Sequence, residues 1–517
     1  MRRYLYLGVF SAGAATLAVE LSASRLLGNY FGSSNLVWAA IIGLILIYLS
    51  VGYAIGGKWA DRSPKYETFF SILIWAAFFI GVIPLASRPI LRFASSAFDQ
   101  MQTTSMIGSF LSVLFLFSVP ITLLGTASPF AIRLALEKNE TAGRIVGRIY
   151  TISTVGSFIG TFLPVLILIP LIGTYRTFIS ISLFLTIICL VGIWATVSLR
   201  KMTVYLLLPV IVIILSLIGL KGYDKKAQGI IYEGESAYNY IQVQRINEYS
   251  ILRLNEGQGI HSISHPTRLD FNGPWEQVIS APFFNEAPID ISQVDRIAIL
   301  GLAGGTSAIQ AKLAFPESII DGFEIDKKII DAGINYFGLD QNDTQIFIKD
   351  ARVGISRSQH KYQVISVDAY TPPYIPWHLT TQEFFKEVHD HLSDNGVLII
   401  NVARIFEERG LLRSLYSTVN SVFPSTYVID LPDTFNSIIF ASKSPTAKGN
   451  LIENYLALQS DPDVHPIIFS ALESTILNIK PSPEVGFIFT DDKAPVEWVT
   501  NEMIFNFLFE EGIETLQ

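Results

Sequence analysis

The sequence predicts a two-part chain: a multi-span α-helical membrane bundle, then an α/β domain built on a doubly wound parallel sheet. Three observations carry this. Long apolar runs with few carboxylates fill the first 220 residues. From Arg296 onward, short apolar strands alternate with helical segments, the pattern of a parallel sheet covered on both faces. Residues 296–326, RIAILGLAGGTSAIQAKLAFPESIIDGFEID, join a strand, a glycine-rich turn, a helix and a second strand ending in Glu324. That is half of a nucleotide-binding unit.

At 517 residues with 16% charged side chains and a mean hydropathy of +0.42, the chain exceeds one ordinary domain and places part of itself in lipid. The net charge of −8 belongs to the second half, and no basic face points to nucleic acid. The single cysteine, Cys189, lies in an apolar run, which excludes a disulfide framework and a cysteine metal site; no metal is expected. The Arg2-Arg3 start resembles a signal peptide, but Glu20 and Arg25 end the apolar run and further spans follow, so it reads as a retained helix.

A helical span needs roughly 20 apolar residues. Seven segments qualify, near 5–24, 36–57, 68–87, 107–126, 150–172, 176–197 and 203–220. The fourth can continue past Pro120 with a kink. Basic residues at 2–3, 58–65, 133–148 and 200–201 favour a cytoplasmic N-terminus. Seven spans from there would put the second half outside, whereas a nucleoside cofactor is expected inside; the cytoplasmic location is the one adopted. Glu20 and Arg25 read either as a buried carboxylate and a snorkelling arginine or as a cation or polyamine site. Gly52–Gly57 and Gly156/Gly160 read as close helix packing.

The expected domains are 1–222 (helical), 223–290 (a β-rich lead-in) and 291–517 (α/β). In the lead-in, Tyr238–Arg245 and Ser250–Leu254 read as a hairpin or meander. Strands are expected at 296–301, 318–324, 344–348, 363–368, 396–402, 425–430 and 436–442, and helices at 305–314, 326–336, 380–392 and 407–420. Glu324, Asp350 and Asp368 each fall at or just after a strand's end, where such sheets bind ligands. Glu324 suits a ribose diol, and Asp350, followed by Ala351, suits an adenine amino group. Asp368 enters the loop DAYTPPYIPWHL and is placed to orient or deprotonate an amine. Any one of them also fits a cap or turn. The turn G-L-A-G-G-T lacks both the dinucleotide pattern and the G-K-[ST] of a phosphate loop. It fits a nucleoside without pyrophosphate, such as S-adenosylmethionine or its decarboxylated form.

On these residues the chain resembles the membrane-fused spermidine synthase-like proteins, in the polyamine aminopropyltransferase branch of the Rossmann-like, class I methyltransferase-type fold. The resemblance rests on ELSASRLLGNYFGSSNLVWAAIIGLILIYLSVGYAIGGKWADR and GRIVGRIYTISTVGSFIGTFLPVLILIPLIG in the first half. In the second it rests on ESAYNYIQV, LRLNEGQGIHS, ILGLAGGTSA, FEID, DAY with IPWHLTTQEFF, GVLIINV and FTDDKAPVEW. It implies transfer of an aminopropyl group from decarboxylated S-adenosylmethionine to an amine or polyamine. By motif match, Gly301, Gly304 and Gly305 form the cofactor turn, Glu324 meets the ribose, and Asp350 with Ala351 meets the base. Gln258 matches a cofactor-contacting glutamine with shifted spacing, and Asp368 stands as the catalytic carboxylate. Tyr238, Tyr370, His378, Asp491 and Asp492 are the candidate substrate contacts; His378 also reads as a general base or a loop former, and the 491–492 pair as a polar turn. The expected partners are a lipid bilayer, a small amine and a second copy in a homodimer.

Three departures stand out. The family turn reads G-G-G-D-G, with its Asp on the aminopropyl ammonium; here that place is Gly304. The family loop D-[ST]-x-D-P becomes Asp368-Ala369-Tyr370-Thr371-Pro372, without the second Asp, and Gly273-Pro274-Trp275-Glu276 replaces a Tyr-His-Glu segment. A dication such as putrescine is therefore held less strongly. The alternatives left open are an S-adenosylmethionine-dependent methyltransferase and a non-catalytic polyamine or nucleoside transporter or sensor.

Overall fold

A computed structural model describes residues 1–32, 34–98, 104–136, 142–220, 222–255, 259–370, 374–404 and 409–510. The chain forms two compact units, 1–226 with 235–240, and 227–234 with 241–517. Most of the expected 223–290 lead-in thus shares the second unit with the α/β segment, while its residues 223–226 and 235–240 belong to the first.

Among the described residues of the first unit, seven helices are long and apolar enough to cross a membrane: Arg2–Phe31, Asn35–Arg62, Tyr66–Ala94, Phe110–Ala135, Ala142–Ile172, Thr174–Thr196 and Leu199–Gly219. The third runs on through Pro84 and Pro89, and the fifth contains a π-helical turn at Pro164–Leu168. Glycines set the closest approaches. A Cβ on Gly156 or Gly160 would lie 2.1 Å from the carbonyl oxygen of Phe10 or Ala14, and one on Gly52 would lie 2.3 Å from that of Thr122. Such contacts let helix backbones touch and maximise dispersion where no water drives association. Outward, Leu207, Val210, Ile213, Ile214, Leu217 and Ile218 are exposed on the last helix, an apolar surface far larger than a water-soluble exterior tolerates.

Arg25 does not pair with Glu20, its only ionisable neighbour along the helix. It donates to Glu235 Oε1 at 3.1 Å and to the carbonyls of Ser236 and Tyr238 at 2.8 and 2.9 Å. Glu235 also accepts from the Thr174 backbone N–H at 2.9 Å. This half-buried cluster binds segment 235–240 into the first unit, because a desolvated guanidinium must have its donors matched.

The second unit starts with strands β1 (Ile230–Glu235), β2 (Tyr240–Ile246), β3 (Tyr249–Leu254) and β4 (Ser262–Ser264), paired in that order. β2 and β3 are joined by Asn247 and Glu248, both with positive φ (48° and 69°), as a two-residue hairpin turn requires. Strand β2 begins two residues after the expected Tyr238.

The larger sheet contains β5 (Arg296–Leu300), β6 (Ile319–Glu324), β7 (Thr344–Ile348), β8 (Tyr362–Val367), β9 (Leu392–Ala403), β10 (Ser425–Asp430), β11 (Asn436–Ser442) and β12 (Ile479–Lys480). Its order is β12-β10-β11-β9-β8-β5-β6-β7. From β9 to β7 the pairs are parallel. Ile297 and Ile299 enter one core while Ala298 and Leu300 enter the other; burial on both faces makes β5 continuously apolar. The sheet departs from the all-parallel expectation at its other end, where β11 runs antiparallel to β9 and to β10. The turn at 431–435 between β10 and β11 is too short for the crossover that parallel neighbours need. Helices Gly449–Leu458 and Pro466–Asn478, unassigned from sequence, cover the lower core around Phe283, Phe284 and Ile468.

The glycine contacts give a direct test of the first unit. Gly160→Val is expected to cost about 1–3 kcal/mol through overpacking, lowering the thermal midpoint of the detergent-solubilised protein. Gly57→Val, where a Cβ meets nothing within 4 Å, is expected to leave it nearly unchanged.

Candidate active site

Strand order builds the site. Neighbouring strands β8, β5, β6 and β7 deliver, at their carboxyl ends, Asp368, the 301–305 turn, Glu324 and Asp350 in that sequence. At ~4.8 Å per strand the four positions span about 14 Å, the length of an extended sulfonium nucleoside.

The turn is fixed from both sides. The Gly301 and Leu302 N–H groups donate to the Phe323 carbonyl at 2.9 and 3.0 Å, and Asp368 N–H donates to the Leu300 carbonyl at 2.9 Å. Gly301 has φ +97°, and a Cβ there would lie 2.5 Å from the Asp368 carbonyl oxygen. Only glycine allows this approach. Helix Thr306–Ala314 begins after Gly305, itself at φ +93°.

Gly304 is occupied from outside. Its N–H donates to Ser262 Oγ at 2.8 Å, and a Cβ on it would meet Ser262 Cβ at 2.9 Å and Phe337 Cγ at 3.3 Å. Thr306 Oγ1 accepts from Ile263 N–H at 2.9 Å and donates to the Ile263 carbonyl at 2.8 Å. Strand β4 therefore seals this flank of the turn, filling the place where the family carries a carboxylate. Ser262 and Thr306 were not singled out from sequence; nothing local marks a contact made across 42 residues.

Glu324 is buried, with Oε2 accepting from Ala303 N–H and Oε1 from Asp326 N–H, both at 3.0 Å. Burial pushes its carboxyl up to about 7, against the pull of those N–H groups. Each oxygen keeps lone pairs for hydroxyl donors.

Asp350 caps helix Ala351–Ser356 through Val353 N–H at 3.0 Å, and its other oxygen meets His378 Nε2 at 3.0 Å. The His378 bond, outweighing partial burial, holds this carboxyl below the usual range. His378 thus stands against Asp350, across β5 and β6 from Asp368. Ala351 is buried at the start of the helix.

Asp368 has one side-chain partner among the described residues, Asn401 Nδ2 at 2.9 Å. Burial raises its carboxyl to about 6, the Asn401 bond opposing. Tyr370, expected among the substrate contacts, is tied by its hydroxyl to β9: it donates to the Asn401 carbonyl at 3.0 Å and accepts from Ala403 N–H at 2.9 Å. That bond anchors the loop. Asn401 was missed from sequence, although a polar residue ending the apolar run GVLIINV beside Asp368's strand was a readable signal.

Asp491 and Asp492 were expected to hold the amine's charge. Instead both Asp491 oxygens accept from the Arg352 guanidinium at 2.8 and 2.9 Å, and Thr381 donates to one of them at 2.7 Å. Arg352 also binds Glu387 at 2.7 Å and the His378 carbonyl at 3.2 Å. Asp491 is thus a brace beneath the Asp350–His378 pair, its charge already matched by arginine. Asp492 is exposed, in a turn closed by the Thr490–Lys493 bridge. Tyr238 lies in the 235–240 segment of the first unit, with its carbonyl bound by Arg25, and is not part of the site described in the second. Gln258 lies outside the described residues.

The second unit is similar to known proteins. The family model described as the spermine/spermidine synthase domain matches residues 292–451. A probable polyamine aminopropyl transferase of Bifidobacterium longum is 31% identical over 292 residues, covering 54% of this chain and 64% of that protein. A polyamine aminopropyltransferase of Vibrio vulnificus is 28% identical over 275 residues, covering 51% of this chain and 85% of that protein. A human eEF1A lysine and N-terminal methyltransferase is 28% identical over 179 residues, covering 32% of this chain and 25% of that protein. The chain thus spans less than two thirds of the first of these relatives. Residues 292–451, within the second unit, are thus similar to spermine/spermidine synthase domains.

Because both Glu324 oxygens accept from backbone N–H groups, Glu324→Gln sets a donor against a donor. The mismatch is expected to cost about 1–3 kcal/mol and to lower the thermal midpoint of the detergent-solubilised protein.

Proposed function

We propose that this protein is a multi-pass membrane aminopropyltransferase that moves an aminopropyl group from decarboxylated S-adenosylmethionine to a small amine. The observation that carries the reading is the order of Asp368, the glycine turn, Glu324 and Asp350 along four adjacent strand ends. It matches, in sequence, a reacting amine, a sulfonium, a ribose and an adenine.

The chemistry asks little of the chain. Asp368 takes a proton from the bound ammonium, the freed nitrogen lone pair attacks the methylene beside the sulfonium, and the carbon–sulfur bond breaks with its electrons passing to sulfur. The leaving group is a neutral thioether, methylthioadenosine. Glu324 and Asp350 fix the nucleoside so that this displacement is in line, converting a bimolecular encounter into a positioned one. Burial of Asp368 strengthens its basicity, as a general base requires.

The seven apolar helices and the exposed aliphatic surface of the last one support an anchored chain. With an odd number of spans the two ends lie on opposite sides. The nucleoside chemistry favours the cytoplasm for the second unit. Protease added outside intact cells is expected to leave that unit uncut, and its cleavage there would reverse the topology.

Asp368→Asn is expected to abolish turnover, a loss of at least about 100-fold, while methylthioadenosine affinity stays within about twofold. In the wild-type protein the carboxylate form is the working one. Turnover is therefore expected to rise with pH through about 6 and to be lost below it. Consumption of S-adenosylmethionine in place of the decarboxylated donor would overturn the proposal in favour of methyl transfer.

A further inference from the structure

The larger sheet has two unlike ends. At one, β12 contributes only Ile479–Lys480; at the other, β7 presents the whole of Thr344–Ile348. Lys349 N–H donates to the Glu324 carbonyl. By the alternation of a parallel pair, Gln345 and Phe347 therefore turn their backbone groups to β6 as well. The N–H and C=O groups of Ile346 and Ile348 point away from the sheet. So does the carbonyl of Thr344, whose N–H is already held by the Asp340 carbonyl at 3.1 Å. Gln345 and Ile348 are exposed along this edge. A row of outward backbone groups is a template for a further strand.

Two further features say what fits there. An open groove of about 280 Å³ runs beside the strand, with Ile330, Ile346 and Ile348 among its walls. Charges also flank the strand evenly: Asp343 lies three residues before Ile346 and Lys349 three after it. Both are exposed, and among the described residues neither forms an ion pair. A second β7 laid antiparallel about a two-fold axis at Ile346 sets Ile346 against its own copy and Thr344 against Ile348. The outward backbone groups then meet as hydrogen-bonded pairs. The same register sets Asp343 of each copy opposite Lys349 of the other, two attractive cross-strand pairs. A parallel arrangement would instead oppose Asp343 to Asp343 and Lys349 to Lys349, two repulsions.

We propose that two copies of this chain associate through β7, joining their larger sheets antiparallel across a two-fold axis at Ile346. The occupant of the edge is a second copy because the charge pattern of residues 343–349 is complementary to its own reverse. The contact is isologous, so it closes on itself and does not propagate into a fibre. A ladder of one short strand per copy falls below the ~1,000 Å² of a stable interface between freely diffusing proteins. For a chain anchored as proposed above, confinement to one membrane plane raises the effective concentration and offsets that deficit. The association is independent of the reaction proposed for the site.

The test is disulfide crosslinking of the full chain in membrane vesicles from the expressing cells. Cys189 is the single native cysteine and is buried, so an introduced thiol reports its own neighbours. Directly opposed, hydrogen-bonded residues have Cα atoms about 5.5 Å apart, within disulfide reach. Under mild oxidation Ile346→Cys is expected to give a linked dimer. Its yield is expected to be at least about fivefold that of Leu477→Cys, an exposed control on helix Pro466–Asn478. In the Ile346→Cys background, Asp343→Lys or Lys349→Asp alone opposes like charges and is expected to cut the yield at least about threefold. The two exchanges together restore opposite charges and are expected to bring it back within about twofold. The thermal midpoint in detergent reports whether each variant is folded. A yield no higher than that of Leu477→Cys overturns the proposal, as does a folded double exchange that fails to restore it. If Ile346→Cys does not fold, coexpressed Gln345→Cys and Phe347→Cys proteins, opposite one another in this register, take its place, and absence of their mixed dimer overturns it.

Discussion

The site depends on one backbone contact. Gly301 and Asp368 leave adjacent parallel strands, and their main chains approach so closely that a single methyl group at 301 would strike the Asp368 carbonyl. The approach places the base beside the cofactor turn without a side chain between them. The turn is also pinned twice to the Phe323 carbonyl. The proposed ribose and adenine positions lie one and two strands away from that junction, at the ends of β6 and β7.

A second theme is how similar carboxylates acquire different characters. Glu324 and Asp368 are desolvated, so both are harder to ionise than free side chains. Asp350 and Asp491 move the other way because a histidine and an arginine respectively stand against them. Asp368, the proposed base, therefore takes up a proton more readily than a free carboxylate, while Asp350 and Asp491 favour the charged form. Separation of this kind by environment is how one sheet edge supports both binding and proton transfer.

Much of this was legible in the linear chain, for identifiable reasons. Strand β5 read correctly because burial on both faces writes a continuous apolar run, and the acidic residues at or just after the ends of β6, β7 and β8 mark their carboxyl ends. The long apolar helices read because hydropathy over some twenty residues needs no tertiary information. The antiparallel end of the sheet did not read, since strand direction depends on the connection and not on composition. The late Asp-Asp pair misled for a related reason. A carboxylate motif reveals charge but not which cation is folded against it, and Arg352 lies 139 residues earlier in the chain.

Gly304 draws the boundary between the two kinds of information. Its sequence alone determined that no carboxylate could project from the turn, and hence that an ammonium is not gripped there as in the family pattern. Only the tertiary structure decided that the vacated space belongs to Ser262, carried in by a separate sheet, and that Asn401 stands beside the base with an oxygen to spare. The sequence fixes what each position can donate or accept because that is covalent chemistry. Which donor meets which acceptor follows from strand order and packing, and those emerge when distant segments compete to bury the same surface.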